Sequence, residues 1–318
     1  MSVTTSNTRP DDALLVSHAA ETSILKLLAY FDIFQYPLTK NEIRKFLPVS
    51  LAEKCFDEAL QSMLTDRTIF LHHDFYSLHN NPLLSYRRNG GNSRAKKLMP
   101  KAFKIGRFLF RFPFVRAIGI SGSLSKNVAD DKADIDFFII TKTNRLWIAR
   151  TIMHLFKKLT FITGHQHYFC MNYFIDEEAM LIKEQNIFTA IEIKTLVPVI
   201  GENVLDEFFS VNNWTAKFFP GFGSLQMQKC KIIRPWYKSL TEWIFDNKFG
   251  DHLDKWLLKI TTRRWQHKSQ KGERNKNGHA MKLETGRHFS RSNPGSFQEK
   301  VLAMYERKLK ELNVVNGE

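Results

Sequence analysis

The sequence predicts an α/β chain of the α+β kind, a mixed-sheet domain with helical segments before and after it. Three observations carry this. Hydrophobic residues make up 43% of the 318 residues and aromatics 13%, enough apolar surface for more than one core. Runs rich in β-branched and aromatic residues at 115–120, 137–140 and 167–175 read as strands. Around them, apolar residues recur at helical spacing over 21–34, 93–112, 145–159 and 186–200, and again from 202 onward.

Residues 1–20 are polar and read as a flexible N-terminus. Ile24, Leu27, Leu28 and Phe31 then mark one face of a first helix, ended by Pro37. Thr39, with Glu42 three residues on, is a capping-box pattern that opens a short second helix. Ser50 and Glu53 repeat the pattern for a third, with an expected apolar face of Leu51, Cys55, Ala59 and Met63. Short strands at 68–71 and 75–78 flank His72-His73-Asp74. Three helices and a hairpin over 21–85 make a winged-helix pattern. The third helix would be the one to enter a DNA groove, and it carries Glu53, Asp57 and Glu58 against Lys54. Affinity for DNA rests on neutralising phosphates, so duplex DNA is not an expected partner.

The formal net charge is +15, which favours anionic ligands. Residues 86–116 hold ten Lys or Arg and no acid, and residues 221–318 hold 20 basic against 10 acidic residues. Asn89-Gly90-Gly91-Asn92 reads as a turn inside a basic connector over 86–112. Beyond it, Leu98, Ala102, Ile105 and Leu109 line one helix face and Lys97, Lys101, Lys104 and Arg107 the other. That basic face is either solvated or a contact for a polyanion. Cys55, Cys170 and Cys230 are far apart and lack zinc spacing, which suits reduced thiols in the cytoplasm. No apolar run reaches the length of a membrane helix, and membrane contact is not expected. His165-Gln166-His167 has no third ligand nearby and reads as the start of a strand rather than a metal site. Trp214, Trp236, Trp243 and Trp256 fall mostly at core-like spacings. Residues 267–296 read as a polar loop, and 297–312 as a last helix.

The most specific stretch is 119–141, G-I-S-G-S-L-S-K-N-V-A-D-D-K-A-D-I-D-F-F-I-I-T. A strand leads into Ser121-Gly122-Ser123. After a spacer of ten residues come Asp134-Ile135-Asp136, and a second strand. Side chains alternate along a strand, so Asp134 and Asp136 project to one side and Ile135, Phe137 and Ile139 to the other. Two such carboxylates repel unless a cation neutralises them. Mg²⁺, for which Mn²⁺ can substitute, takes oxygen ligands from one or two carboxylates together with substrate phosphates. Gly122 lets a phosphate approach the backbone, and Ser123 offers a hydroxyl.

Gly122-Ser123 and Asp134-Ile135-Asp136-Phe137 resemble the signature of the polymerase-β-like nucleotidyltransferase superfamily: an apolar residue, Gly, Gly or Ser, a spacer of this length, then Asp-apolar-Asp/Glu-apolar. The flanking arrangement, including Asn172-Tyr173-Phe174, looks like bacterial nucleotidyltransferase-domain proteins with an N-terminal winged helix. The resemblance implies a catalytic core over 113–200, after the winged helix and connector and before a basic helical region at 201–318. It implies transfer of a nucleoside monophosphate from an NTP, with ATP among the candidates, to an acceptor that is a small molecule, RNA or protein. Asp134 and Asp136 would hold the metal, and Gly122 and Ser123 the triphosphate. Arg150 would reach phosphates, or else be an ordinary surface arginine. The superfamily often adds a third acid from a neighbouring strand. The strand at 167–175 has none, and the position facing the site could be Asn172. Asp176 at its end is the first candidate for a catalytic third carboxylate, against a solvated turn of Asp176, Glu177 and Glu178; Glu192 is the second. A non-catalytic nucleotide- or RNA-binding regulator or adaptor on the same fold is the rival reading.

Overall fold

The structure, a computed structural model, describes residues 10–131, 133–160, 168–223, 234–272, 283–292 and 296–314. The chain divides into two compact units. One comprises Met1–Asn89, Ala216–Gly223 and Val301–Glu318, the other Gly90–Thr215 and Ser224–Lys300.

The first unit opens with α1 (Pro10–Asp32), which begins inside the stretch expected to be loose. It continues through β1 (Leu38–Thr39), α2 (Lys40–Phe46), α3 (Glu53–Thr65), β2 (Phe70–His72) and β3 (Phe75–Ser77). The capping box forms: Thr39 accepts from the Glu42 amide at 3.2 Å, and Glu42 accepts from the Thr39 amide at 2.9 Å. Glu42 also takes the buried Arg88 guanidinium, which stacks 3.7 Å over the Tyr36 ring. Ser50 does not cap α3. That helix starts at Glu53 behind an extended Ala52, with no side-chain cap, and buries Phe56, Ala59, Leu60 and Met63. The strands pair antiparallel in the order β1-β3-β2.

α4 (Pro82–Leu109) follows. The expected turn at Asn89–Asn92 is helix. The glycines serve packing instead: Gly91 is buried, its carbonyl accepts from the Ala129 amide at 3.1 Å, and a Cβ there would lie 3.2 Å from Val128. The second unit then runs β4 (Val115–Ser121), α5 (Gly122–Ser125), β5 (Asp136–Thr141), α6 (Leu146–Thr160), β6 (Cys170–Asp176), α7 (Ile187–Lys194), β7 (Val197–Ile200), α8 (Glu202–Val211), α9 (Trp236–Phe245), α10 (Lys248–Gln270), β8 (Leu283–Thr285) and β9 (Phe289–Ser292). α11 (Phe297–Glu311) closes the described chain.

The strands of the second unit form a mixed sheet in the order β7-β4-β5-β6-β9-β8, with β5 and β6 parallel and the other neighbours antiparallel. The chain is therefore α+β. Both faces of the central strands are covered, so these strands read as unbroken apolar runs. Ile118, Ile120, Phe137, Ile139 and Phe174 pack with Leu109, Trp147 and Met153 on one face. Ala117, Phe138, Ile140 and Ile175 pack with Ile193, Leu205 and Phe208 on the other.

Several sequence expectations need correcting. The helix expected over 186–200 stops at Lys194, and Val197–Ile200 is an edge strand, where Pro198 is tolerated because half of an edge strand's amides need no partner. The expected loop at 267–296 contains the end of α10 and both outer strands, β8 and β9. The helix expected over 145–159 is capped from far along the chain: Asn144 sits at φ 59°, and Asp254 of α10 accepts from the Trp147 and Ile148 amides at 2.8 and 2.9 Å. Trp236, Trp243 and Trp256 are exposed rather than core. His165, His167 and Cys230 lie outside the described residues. Cys55 and Cys170 are free thiols, and among the described residues no helix is long and apolar enough to cross a membrane.

α9 is tied down by an unusual group. The Lys238 ammonium is buried and donates to the carbonyls of Phe110 and Val115 at 2.7 and 2.8 Å. Burial pushes its pKa down from 10.5 to about 7, opposed by Glu242. Between pH 7 and 9 the unfolded chain holds a proton here that the folded chain has released, so stability should rise with pH. Over that window the rise amounts to up to about 2 kcal/mol, since each pH unit is worth about 1.4 kcal/mol. Urea melts at pH 7 and 9 should show this slope in the wild type and lose it in Lys238→Met. An unchanged slope would remove Lys238 as its source.

Candidate active site

The site begins where β4 ends. In the antiparallel β4–β5 pair Ser121 lies opposite Asp136. Gly122 follows at φ +70°, and a Cβ on it would stand 2.5 Å from Asp136 Oδ2. Glycine is therefore required twice over, by the left-handed backbone and by the carboxylate lying on it. The short α5 turns back, and Lys126 places its ammonium 3.1 Å from the Gly122 carbonyl.

β5 pairs in parallel with β6, with Asp136 beside Cys170. Two residues past Cys170, where the register shifts between the Phe137–Met171 and Phe138–Tyr173 pairs, Asn172 Nδ2 donates to Asp136 Oδ1 at 2.5 Å. Asn172 thus occupies the neighbouring-strand position facing the carboxylates. α7 supplies Glu192, paired with Lys126 at 2.8 Å. Ser121, Gly122, Asp136, Asn172 and Glu192 line a 360 Å³ pocket. An apolar wall of the same pocket comes from Phe138, Tyr173, Phe188 and Phe208.

Burial pushes the Asp136 carboxyl up to about 6. A hydrogen bond with Cys170 works against the rise, the carboxylates of Asp134 and Glu192 add to it, and Lys126 opposes it. The Cys170 thiol is itself pushed up to about 12, by burial and then by Asp136. Three carboxylates thus bear on one another with one lysine among them. That donor set suits a divalent cation carrying further ligands of its own, as Mg²⁺ or Mn²⁺ does with phosphates. Among the described residues, no three His, Cys, Asp or Glu side chains gather closely enough to hold a metal alone.

Gly122 and Asp136 line that pocket, whereas Ser123 and Asp134 are exposed and outside its lining, and Asp134 precedes the strand rather than lying on it. Two candidates are not brought there. Asp176 pairs with Thr141, at the far end of β5 from Asp136, roughly 17 Å away at the rise of a strand. It is fully buried and accepts from the Asn144 and Glu178 amides and from His288 Nδ1, at 2.9, 3.1 and 2.9 Å. Arg150 is buried on α6, 5.4 Å from the Trp147 ring, on the side of the sheet away from the pocket. Burial lowers its pKa to about 10. Neither a solvated acidic turn nor a surface arginine describes these two residues. Sequence reasoning missed Lys126, whose signal is its place four residues after Gly122, one helical turn on.

No protein-family model, no curated protein and no solved structure matches the chain.

Proposed function

We propose that the second unit is a Mg²⁺-dependent nucleotidyltransferase, moving a nucleoside monophosphate from an NTP to an acceptor hydroxyl or phosphate and releasing pyrophosphate. The observation that carries the reading is Asp136 lying against a left-handed Gly122, its pKa raised by burial and then by Asp134 and Glu192. Asp134 and Asp136 would hold the metal, which supplies charge neutralisation for the triphosphate. Gly122 and Ser123 would receive the phosphates, with Lys126 beside them. Glu192 would take the proton of an acceptor hydroxyl. The acceptor oxygen then bonds to the α-phosphorus as the bond to pyrophosphate breaks. The apolar wall gives a planar base or an apolar acceptor a surface to lie on.

The element order of the first unit, three helices with a β1-β3-β2 sheet, supports a winged helix. Its α3 exposes Glu53 and Glu58, which favours a protein contact over DNA.

Pyrophosphate release from each NTP with Mg²⁺, in the presence of cell extract as acceptor source, tests the reading. Asn172 at the third-acid position favours a second reading, a nucleotide-binding regulator without turnover. NTP binding with no release under any condition would select it. Gly122→Ala is expected to lower release about 10²-fold, the scale of a 1 Å misplacement, and to cost about 1–2 kcal/mol of backbone strain. Full activity in that variant would detach the glycine from the chemistry.

A further inference from the structure

α9 is packed inside out. Its inward side is polar: besides buried Lys238, Glu242 accepts from the Phe114 amide at 2.7 Å and from Arg116 at 2.9 Å. Its outward side is apolar. Trp236, Leu240 and Trp243, at i, i+4 and i+7, share one face, and the two indoles are 76% and 77% exposed. Ile244 is exposed beside them. A helix normally turns such a stripe toward its core.

α10 continues the surface. Phe249 stacks on Phe245 at the end of α9, with ring centres 6.1 Å apart. Phe249, Trp256 and Ile260 fall on one face at i, i+7 and i+11, and all three are exposed. Each is preceded by an exposed lysine: Lys248, Lys255 and Lys259. The acids of both helices are engaged elsewhere. Asp246 pairs with Lys142 and Arg145, Asp251 with Arg145, Glu242 with Arg116, and Asp254 caps α6. What faces outward is an apolar stripe beside a cationic one.

We infer that α9 and α10 form a docking surface for an anionic phospholipid bilayer. The indoles, Phe249 and the aliphatic side chains enter the boundary between headgroups and acyl chains, and the lysines meet lipid phosphates. Both halves of the surface need an occupant. Nucleic acid would answer the lysines and leave Leu240, Ile244 and Ile260 against water. A second copy would answer the apolar stripe and set like charge on like charge in a chain of net charge +15. An anionic bilayer answers both, and lying in the interface requires no spanning helix. This reading replaces the expectation of no membrane contact and does not depend on the reaction proposed above.

The test is vesicle flotation of the full chain. It should float with phosphatidylglycerol–phosphatidylcholine vesicles at about 0.1 M salt, where the Debye length is about 10 Å, and not with phosphatidylcholine alone. Tryptophan emission should shift to the blue on binding. Trp236→Ser with Trp243→Ser should cut partitioning at least about tenfold, the loss of two interfacial aromatic anchors, with an unchanged circular dichroism spectrum. Lys255→Gln and Lys259→Gln should each cut it about fivefold, the worth of one basic residue near an anionic surface. If the tryptophan variant misfolds, the lysine variants decide. Failure to float, or flotation that the variants leave unchanged, overturns the proposal. So does a result in which the same substitutions abolish self-association or RNA binding while the wild type ignores vesicles.

Discussion

Asp136→Asn in the full chain is expected to reduce Mg²⁺-dependent pyrophosphate release by about 10³-fold, the upper end for losing one preorganised group. The same change should raise the thermal midpoint at pH 7.5 in the absence of metal. The reason is electrostatic. The carboxyl rises from 3.8 to about 6 in the fold, so ionising it there costs more than in the unfolded chain. The cost is absent below about pH 4, grows as pH rises towards 6, and is complete above that. A shift of this size corresponds to at most about 3 kcal/mol, and partial solvent exposure reduces it to about 1–2 kcal/mol. Asparagine removes the charge and keeps the shape, so its stabilisation should be present at pH 7.5 and gone at pH 4. Wild-type release in the variant would end the metal-site reading. A lower midpoint at pH 7.5 would end the electrostatic one.

Glu192→Gln and Asp176→Asn are expected to separate chemistry from architecture. A catalytic base contributes about 10²–10⁴-fold, and Glu192 lines the pocket beside Asp136. Its amide variant should lose activity on that scale while melting close to wild type. Asp176, at the other end of β5, receives two backbone amides and His288. Its variant should keep its rate and melt lower, by about 1–3 kcal/mol for a disturbed buried acceptor. Rate loss in Asp176→Asn without any drop in stability would reverse the assignment. Full rate in both variants would leave Asp134 and Asp136 working without a protein base.

Part of the candidate site was legible in the chain because its signals are local. Gly122-Ser123 and Asp134-x-Asp136 need only a strand, a turn and a strand, and the capping box at Thr39 needs four residues. What escaped depends on partners distant in sequence. Asp176 looked like a pocket residue because strand ends often border clefts, but parallel pairing of β5 and β6 sends Asp136 and Asp176 to opposite ends. Gly90-Gly91 looked like a break because glycine disfavours helix, yet Gly91 is where Ala129 closes on the helix. Trp236 and Trp243 looked like core because their spacing is that of a buried stripe. Spacing does not say which face turns inward, and here Lys238 and Glu242 decide it with bonds to Phe110, Phe114, Val115 and Arg116.

The order of strands in the second unit has a consequence for synthesis. β6 is complete once Asp176 has been made, but its outer neighbour β9 ends only at Ser292. The intervening stretch also contains Asp254, which finishes the amide end of α6. At a translation rate of about 5–20 residues per second, roughly a hundred residues take about 5–20 s to emerge. During that time Tyr173, Phe174 and Ile175 present an unpaired hydrophobic edge, the kind that recruits strands from other chains. A nascent chain of this protein should therefore have its longest dependence on chaperones late, between the making of β6 and the arrival of β9, and a product truncated before Phe289 should aggregate from that edge.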